Sequence, residues 1–116
     1  MNTTLYQIVI KQDKQAPTVY LSGEIDFAAT IDLGPRLEEI VKHCSRELLF
    51  NMERVTFIDS EGIKTLLAAF RMMQNKQMNA RVVSCSDQAM RVIKLVGAET
   101  LLKISNNAHT ESTAIQ

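Results

Sequence analysis

An α/β domain built on one mixed β-sheet, with the order β-β-α-β-α-β-α, is the fold this sequence predicts, and three observations predict it. Two stretches repeat apolar residues at helical spacing, each beside a short apolar run of the kind that fills a strand buried in a sheet. Two β-rich runs around a polar loop open the chain. The length, 116 residues, is that of one folded unit and leaves no room for a second. Parallel neighbours joined by helices need right-handed crossovers that cover the sheet, which completes the architecture.

The opening runs are Thr4 to Ile10 and Pro17 to Ser22, read as antiparallel strands around Lys11-Gln12-Asp13-Lys14-Gln15. Val19 and Leu21 share a face by the period of two. After Gly23-Glu24-Ile25-Asp26, Leu33 is followed by Leu37, Ile40, Val41 and Cys44 at offsets of four, seven, eight and eleven, one apolar stripe on a helix. Pro35 fits the first turn of a helix, where the amides lack helical partners, which makes Asp32 the expected cap; an earlier start requires a kink. Leu48-Leu49-Phe50, with Val55, Phe57 and Ile58 beyond, reads as a strand buried on both faces. Ile58-Asp59-Ser60-Glu61-Gly62-Ile63 then turns a tight polar corner into a second helix, whose stripe is Ile63, Leu66, Leu67, Phe70 and Met73. Arg81 to Ser84 reads as a third central strand. Ser86 caps a helix carrying Ala89, Val92, Ile93 and Val96, which Gly97 stops. Leu101 to Ile104 is a last short strand or a turn. From Ser105 onward the chain cannot bury enough to offset the entropy of ordering it, so the expected domain is 1–104, with a disordered tail at 105–116.

Charge and composition exclude several functions. Thirteen basic residues balance thirteen acidic ones, so nothing supplies the counterion-release term that dominates nucleic-acid affinity, and no direct nucleic-acid binding is expected. No uncharged stretch nears the roughly 18 to 20 apolar residues of a membrane span. The N-terminus has neither a basic start nor a long apolar core, so the chain is expected in the cytoplasm. There Cys44 and Cys85, isolated in sequence, are expected to be free thiols. Catalysis finds no support: His43 lies near a helix end and His109 in the tail, and neither is held against a nucleophile. Ser60 stands at a strand-to-helix corner like a nucleophile elbow, but Ile58 occupies the place where that motif needs glycine. No metal-ligand spacing and no phosphate-cradling glycine loop is present, so no cofactor is expected. Met72, Met73, Met78 and Met90 read as gap-filling core or rim.

What stands out is acid and hydroxyl at two helix entrances, Glu24 and Asp26 at one, Asp59, Ser60 and Glu61 at the other, which an α/β sheet gathers on one rim. Asp59 or Ser60 can simply cap the second helix, a role worth about 1 kcal/mol. Alternatively, an exposed Ser60 at a helix N-terminus is a place where a phosphate can be added and held.

Leu21-Ser22-Gly23-Glu24-Ile25-Asp26, followed by Phe57-Ile58-Asp59-Ser60-Glu61-Gly62-Ile63, resembles the STAS domain of bacterial anti-sigma factor antagonists, and the resemblance runs from about Leu5 to Ile104. It implies a small regulatory domain without catalytic activity. Ser60 then matches the residue phosphorylated by an ATP-dependent serine kinase with a histidine-kinase-like fold, which is also the anti-sigma factor. Asp26 matches an acid that assists the kinase encounter, and Asp59 the acid preceding the acceptor. The implied partner-binding edge comprises Gly23, Glu24, Asp26, Asp59, Glu61, Gly62 and Lys64, and a PP2C-type phosphatase is the implied agent of the return step. Two positions depart from the pattern: Glu61 stands where a small residue is usual, and Asn51 where aspartate is common. The alternative reading is a STAS-like adaptor that docks constitutively in a larger assembly, such as a lipid-transport complex or stress-sensing particle, with Ser60 as a cap.

Overall fold

The computed structural model describes residues 5–12 and 16–104. Its elements are β1 Tyr6–Lys11, β2 Thr18–Ile25, α1 Phe27–Lys42, β3 Leu48–Ile58, α2 Ser60–Asn75, β4 Ala80–Cys85 and α3 Asp87–Leu95, in the expected order. The strands form one sheet in the order β1-β2-β3-β4. β1 runs antiparallel to β2, while β2, β3 and β4 are mutually parallel, so the sheet is mixed.

Two successive right-handed crossovers in one direction put α1 and α2 side by side on the same face, where they pack on each other. Val19, Leu21 and Ile25 of β2 meet Leu33, Leu37 and Val41 of α1 there, all buried. Phe50 of β3 tilts against Phe70 of α2 with ring centroids 5.3 Å apart, a geometry that aromatic pairs favour. Met73 and Met90 are buried core, and Met72 and Met78 are partly buried against it. Cys44 and Cys85 are buried free thiols.

Several local expectations need correction. The cap of α1 is Asp26, not Asp32: Asp26 Oδ1 accepts from Ala29 N at 2.9 Å, and the helix begins eight residues before Pro35. Pro35 is accommodated mid-helix on the exposed side, where water can take the carbonyl its missing N–H leaves unpaired. Gly34 before it lacks the Cβ that would crowd the proline ring. Asp32 instead accepts from the Tyr6 hydroxyl and from Arg36 Nε, the latter at 3.0 Å, tying β1 to α1. β2 continues past Ser22 to Ile25. β4 lies at the sheet edge rather than centrally, and Leu102 O accepts from Val82 N at 3.2 Å, so the segment after α3 covers part of that edge. Residues 101–103 form a turn. Val96 is an exposed C-cap, and the buried stripe of α3 is Ala89, Met90 and Ile93. Gly97, at φ +72°, ends the helix with Gly97 N to Lys94 O and Ala98 N to Ile93 O, both 3.0 Å, a Schellman closure. Asn51 lies inside β3 at a register shift toward β4, where its Oδ1 accepts from Glu53 N at 3.0 Å. The expected tail, with His109, lies outside the described residues.

The far end of the α1–α2 pair is held by one ammonium group. Lys76 Nζ donates to Val41 O at 2.6 Å, Cys44 O at 2.8 Å and Lys42 O at 3.3 Å, satisfying carbonyls that end α1 from the C-cap of α2. Lys76→Met keeps the stem and removes the donors. With charged hydrogen bonds contributing ~1.5–3 kcal/mol and this group partly solvated, the loss is expected near 1–2 kcal/mol. A melting-temperature drop of about 5–10 °C should result, measured by circular dichroism.

Candidate functional site

Parallel pairing sets the site. Ile25 and Ile58, the last residues of β2 and β3, lie in register, so Asp26 and Asp59 emerge side by side at one rim of the sheet. Each begins a helix. Asp59 Oδ1 accepts from Gly62 N at 2.9 Å, the N3 amide that an N-cap side chain satisfies. Its other oxygen, Oδ2, accepts from Phe27 N at 3.1 Å, the first amide of α1. One carboxylate therefore fastens two helix N-termini together, and Asp59 N donates to Ile25 O at 3.4 Å beneath them.

This settles which residue caps α2. Asp59 does, and Ser60, the first residue of the helix, is exposed with no hydrogen bond from its hydroxyl to any other described residue. Glu61 follows in the first turn, where the helix dipole favours an acid, and pairs with Lys64 Nζ at 3.4 Å. With both side chains well exposed, that ion pair contributes little to stability. Glu24 is half-buried on β2 opposite Phe57.

Both glycines of the implied edge have backbone reasons to be glycine. A Cβ on Gly62 would sit 2.4 Å from Ile25 O and 2.8 Å from Ile58 Cγ1, so α2 starts against the β2 strand end only because nothing projects there. Gly23 has φ +85°, and its Cβ would meet Leu5 O at 1.9 Å where β1 crosses. Of the residues expected at the edge, Asp26, Asp59, Ser60, Glu61 and Gly62 thus meet at the two helix starts; Lys64 lies one turn along α2. Gly23 sits further back, in the pairing with Tyr6.

The apolar part of the rim escaped the motif-based reading. Phe27 is 60% exposed and Ile31, one turn on, 68% exposed, while Phe57 projects from the neighbouring strand. The available signal was that Phe27 and Ile31 lie off the buried stripe of α1. Among the described residues two titratable groups are shifted, Tyr6 and Cys85, neither of them at the Asp26–Asp59 corner. Burial, then the hydrogen bond to Asp32, pushes the Tyr6 hydroxyl well above its usual range. Burial, reinforced by Asp87, pushes the Cys85 thiol up to about 12, which leaves it a poor nucleophile at neutral pH. Among the described residues no group of His, Cys, Asp and Glu side chains could hold a metal ion, and no helix is long and apolar enough to cross a membrane.

Comparison with known proteins agrees with this fold. The model of the STAS domain matches residues 7–111. An anti-sigma-B factor antagonist of Staphylococcus aureus is 20% identical over 93 residues, covering 80% of this chain and 86% of its own. The crystal structure of an anti-sigma factor antagonist from Mycobacterium paratuberculosis superimposes with a TM-score of 0.78 at 22% identity, covering 88% of this chain and 86% of that one. The Bacillus cell fate determinant SpoIIAA in its phosphorylated form superimposes with a TM-score of 0.64 at 19% identity, covering 94% of this chain and 96% of that one.

Proposed function

The chain belongs to the STAS domain family, and on that premise we propose that it is an anti-sigma factor antagonist that works by partner switching in the bacterial cytoplasm. Unmodified, it binds an anti-sigma factor serine kinase of histidine-kinase-like fold through the rim from Gly23 to Asp26 and Asp59 to Lys64, and the kinase lets go of its sigma factor. Phosphorylation of Ser60 ends the association, and a PP2C-type phosphatase restores it. The protein itself catalyses nothing.

The observation that carries this reading is the division of labour at the corner. Asp59 satisfies the helix amides, which leaves the Ser60 hydroxyl uncommitted at the surface. A constitutive adaptor in which Ser60 serves as a cap loses its rationale for that serine. Asp26 contributes negative charge beside the acceptor while one of its oxygens holds Ala29 N, so its part in the kinase encounter must come from charge or from the remaining oxygen.

Phosphorylation adds about −1.5 to −2 charges to an edge that already carries Asp26, Asp59 and Glu61. In the free domain, water and the helix dipole stabilise the dianion. Against a partner the same charges must be desolvated together, and that cost disfavours the complex without any change of fold.

Incubation of the pure protein with ATP and the serine kinase encoded nearest to it should add one phosphate by intact mass, mapping to Ser60. A phosphate on another residue, or none with any ATP-dependent serine kinase of the same genome, would overturn the assignment.

A further inference from the structure

We infer that the groove between α2 and the turn following α3 is a docking channel for an acidic segment, carrying apolar side chains, of the same kinase that modifies Ser60. The inference rests on the reading of Ser60 as the acceptor and extends it to a surface which that reading does not use.

Two cavities form the groove. One of about 190 Å³ is lined by Ser60, Lys64, Leu67, Val96, Ala98 and Leu101 among others. A second, of about 170 Å³, includes Leu67, Phe70, Arg71, Met78, Leu101 and Lys103. Leu67 and Leu101 line both, so the two cavities adjoin, one opening at the acceptor serine and the other lying further along α2 toward its C-terminus. From Ser60 to Gln74 the helix rises about 21 Å, enough for about six residues of extended chain.

The chemistry of the trough selects its occupant. The cavity beside Ser60 is predominantly apolar, while the second exposes polar and apolar surface in nearly equal parts; Leu101 is 61% exposed between them, an apolar surface that a partner can cover. The groove's cations are Lys64, Arg71 and Lys103, and among the described residues no carboxylate lines either cavity. Among the described residues Arg71 makes no ion pair, and Lys103 Nζ reaches only Asn79 Oδ1, at 3.4 Å. Glu61 offsets Lys64 in part, at 3.4 Å on the exposed helix surface. In a chain of zero net charge, three cations along a groove that is apolar at its Ser60 end form a local field that complements carboxylates interspersed with apolar side chains.

Continuity with Ser60 gives the channel a regulatory consequence. A dianion on Ser60 appears at the trough's mouth, where it repels the leading carboxylates of an acidic occupant. Modification then weakens both the rim contact and the channel contact.

The test uses the full chain and the kinase that phosphorylates it. Arg71→Glu with Lys103→Glu changes two exposed side chains remote from the acceptor. It should weaken binding at least tenfold by titration calorimetry and flatten its salt dependence, while circular dichroism stays native. Leu101→Ser should weaken binding about threefold or more without changing the salt slope. Hydrogen exchange in the wild-type complex should show new protection at residues 98–103. Unchanged affinity and salt slope in the charge reversal overturn the channel, as does protection confined to the corner at Asp59 and Ser60; the acceptor assignment survives both. If the reversal alters self-association by sedimentation rather than kinase binding, the occupant is a second copy of the chain and the proposal falls. If no kinase modifies Ser60, the underlying reading falls and the assigned occupant with it.

Discussion

Ser60→Asp is expected to bind the kinase at least about tenfold more weakly than the wild type, and Ser60→Ala to bind as well as the unmodified protein and stay bound in the presence of ATP. Two unit charges 4 Å apart interact by about 4 kcal/mol at an effective dielectric of 20. Each 1.4 kcal/mol is tenfold in affinity, so even half that repulsion, with screening, is worth more than one decade. Aspartate carries one charge where the phosphate carries nearly two, and the phosphoprotein should bind more weakly still. Ser60→Ala removes the acceptor but no cap, because Asp59 holds the Gly62 amide, so its stability should stay within about 0.5 kcal/mol of the wild type. Surface plasmon resonance with immobilised kinase and nucleotide separates the cases: equal dissociation constants for Ser60→Asp, Ser60→Ala and wild type would end the electrostatic account of the switch.

The largest effect on the fold is expected from Gly62→Ala. In an ordinary helix this change is favourable by about 1 kcal/mol, since alanine is the better helix former. Here the added methyl lands 2.4 Å from Ile25 O and 3.1 Å from Ile25 Cγ2, with Ile58 Cγ1 at 2.8 Å. The nearest of these is backbone in a sheet strand and cannot rotate away. Either α2 slides outward, stretching the Asp59 bonds to Gly62 N and Phe27 N, or β2 shifts. Overpacking of this kind costs about 1–3 kcal/mol, and strained caps add to it. A net loss of about 3 kcal/mol and a melting temperature lower by more than 10 °C are expected from thermal denaturation. A variant as stable as the wild type would show that the corner has slack. That would also weaken the argument that the position of Ser60 is dictated by strand and helix packing.

Much of this arrangement was legible in residue order. The periods of the α1 and α2 stripes, from Leu33 to Cys44 and from Ile63 to Met73, report helices because burial on one face is a local property of spacing. The acid at 59 marks the start of α2 for the same reason, since capping involves neighbours within three residues, whereas at α1 the expected cap was Asp32 and the cap is Asp26. What pattern could not resolve depended on partners distant in sequence. Pro35 points to a late start for α1, yet the amide of Phe27 is held by Asp59, 32 residues away, and Asp26 completes the first turn. β4 reads like β3 because both are apolar, but edge or centre is decided by strand order, which no local spacing encodes. Whether Asp59 or Ser60 capped α2 was open because both can; the choice fell to Asp59, whose two oxygens serve two helices at once. The exposed Phe27, Ile31 and Leu101 were silent, since isolated surface apolar residues are common and their spacing does not set them apart.

Because one carboxylate grips the starting turns of both α1 and α2, neither can be tugged alone. A dianion on Ser60 that draws the nearby amides toward itself competes with Asp59 for them, and whatever grip Asp59 loses on α2 alters its grip on Phe27. The backbone amide of Phe27 is thus a natural spectroscopic reporter, and modification chemistry on one helix should be audible in the resonance of the other.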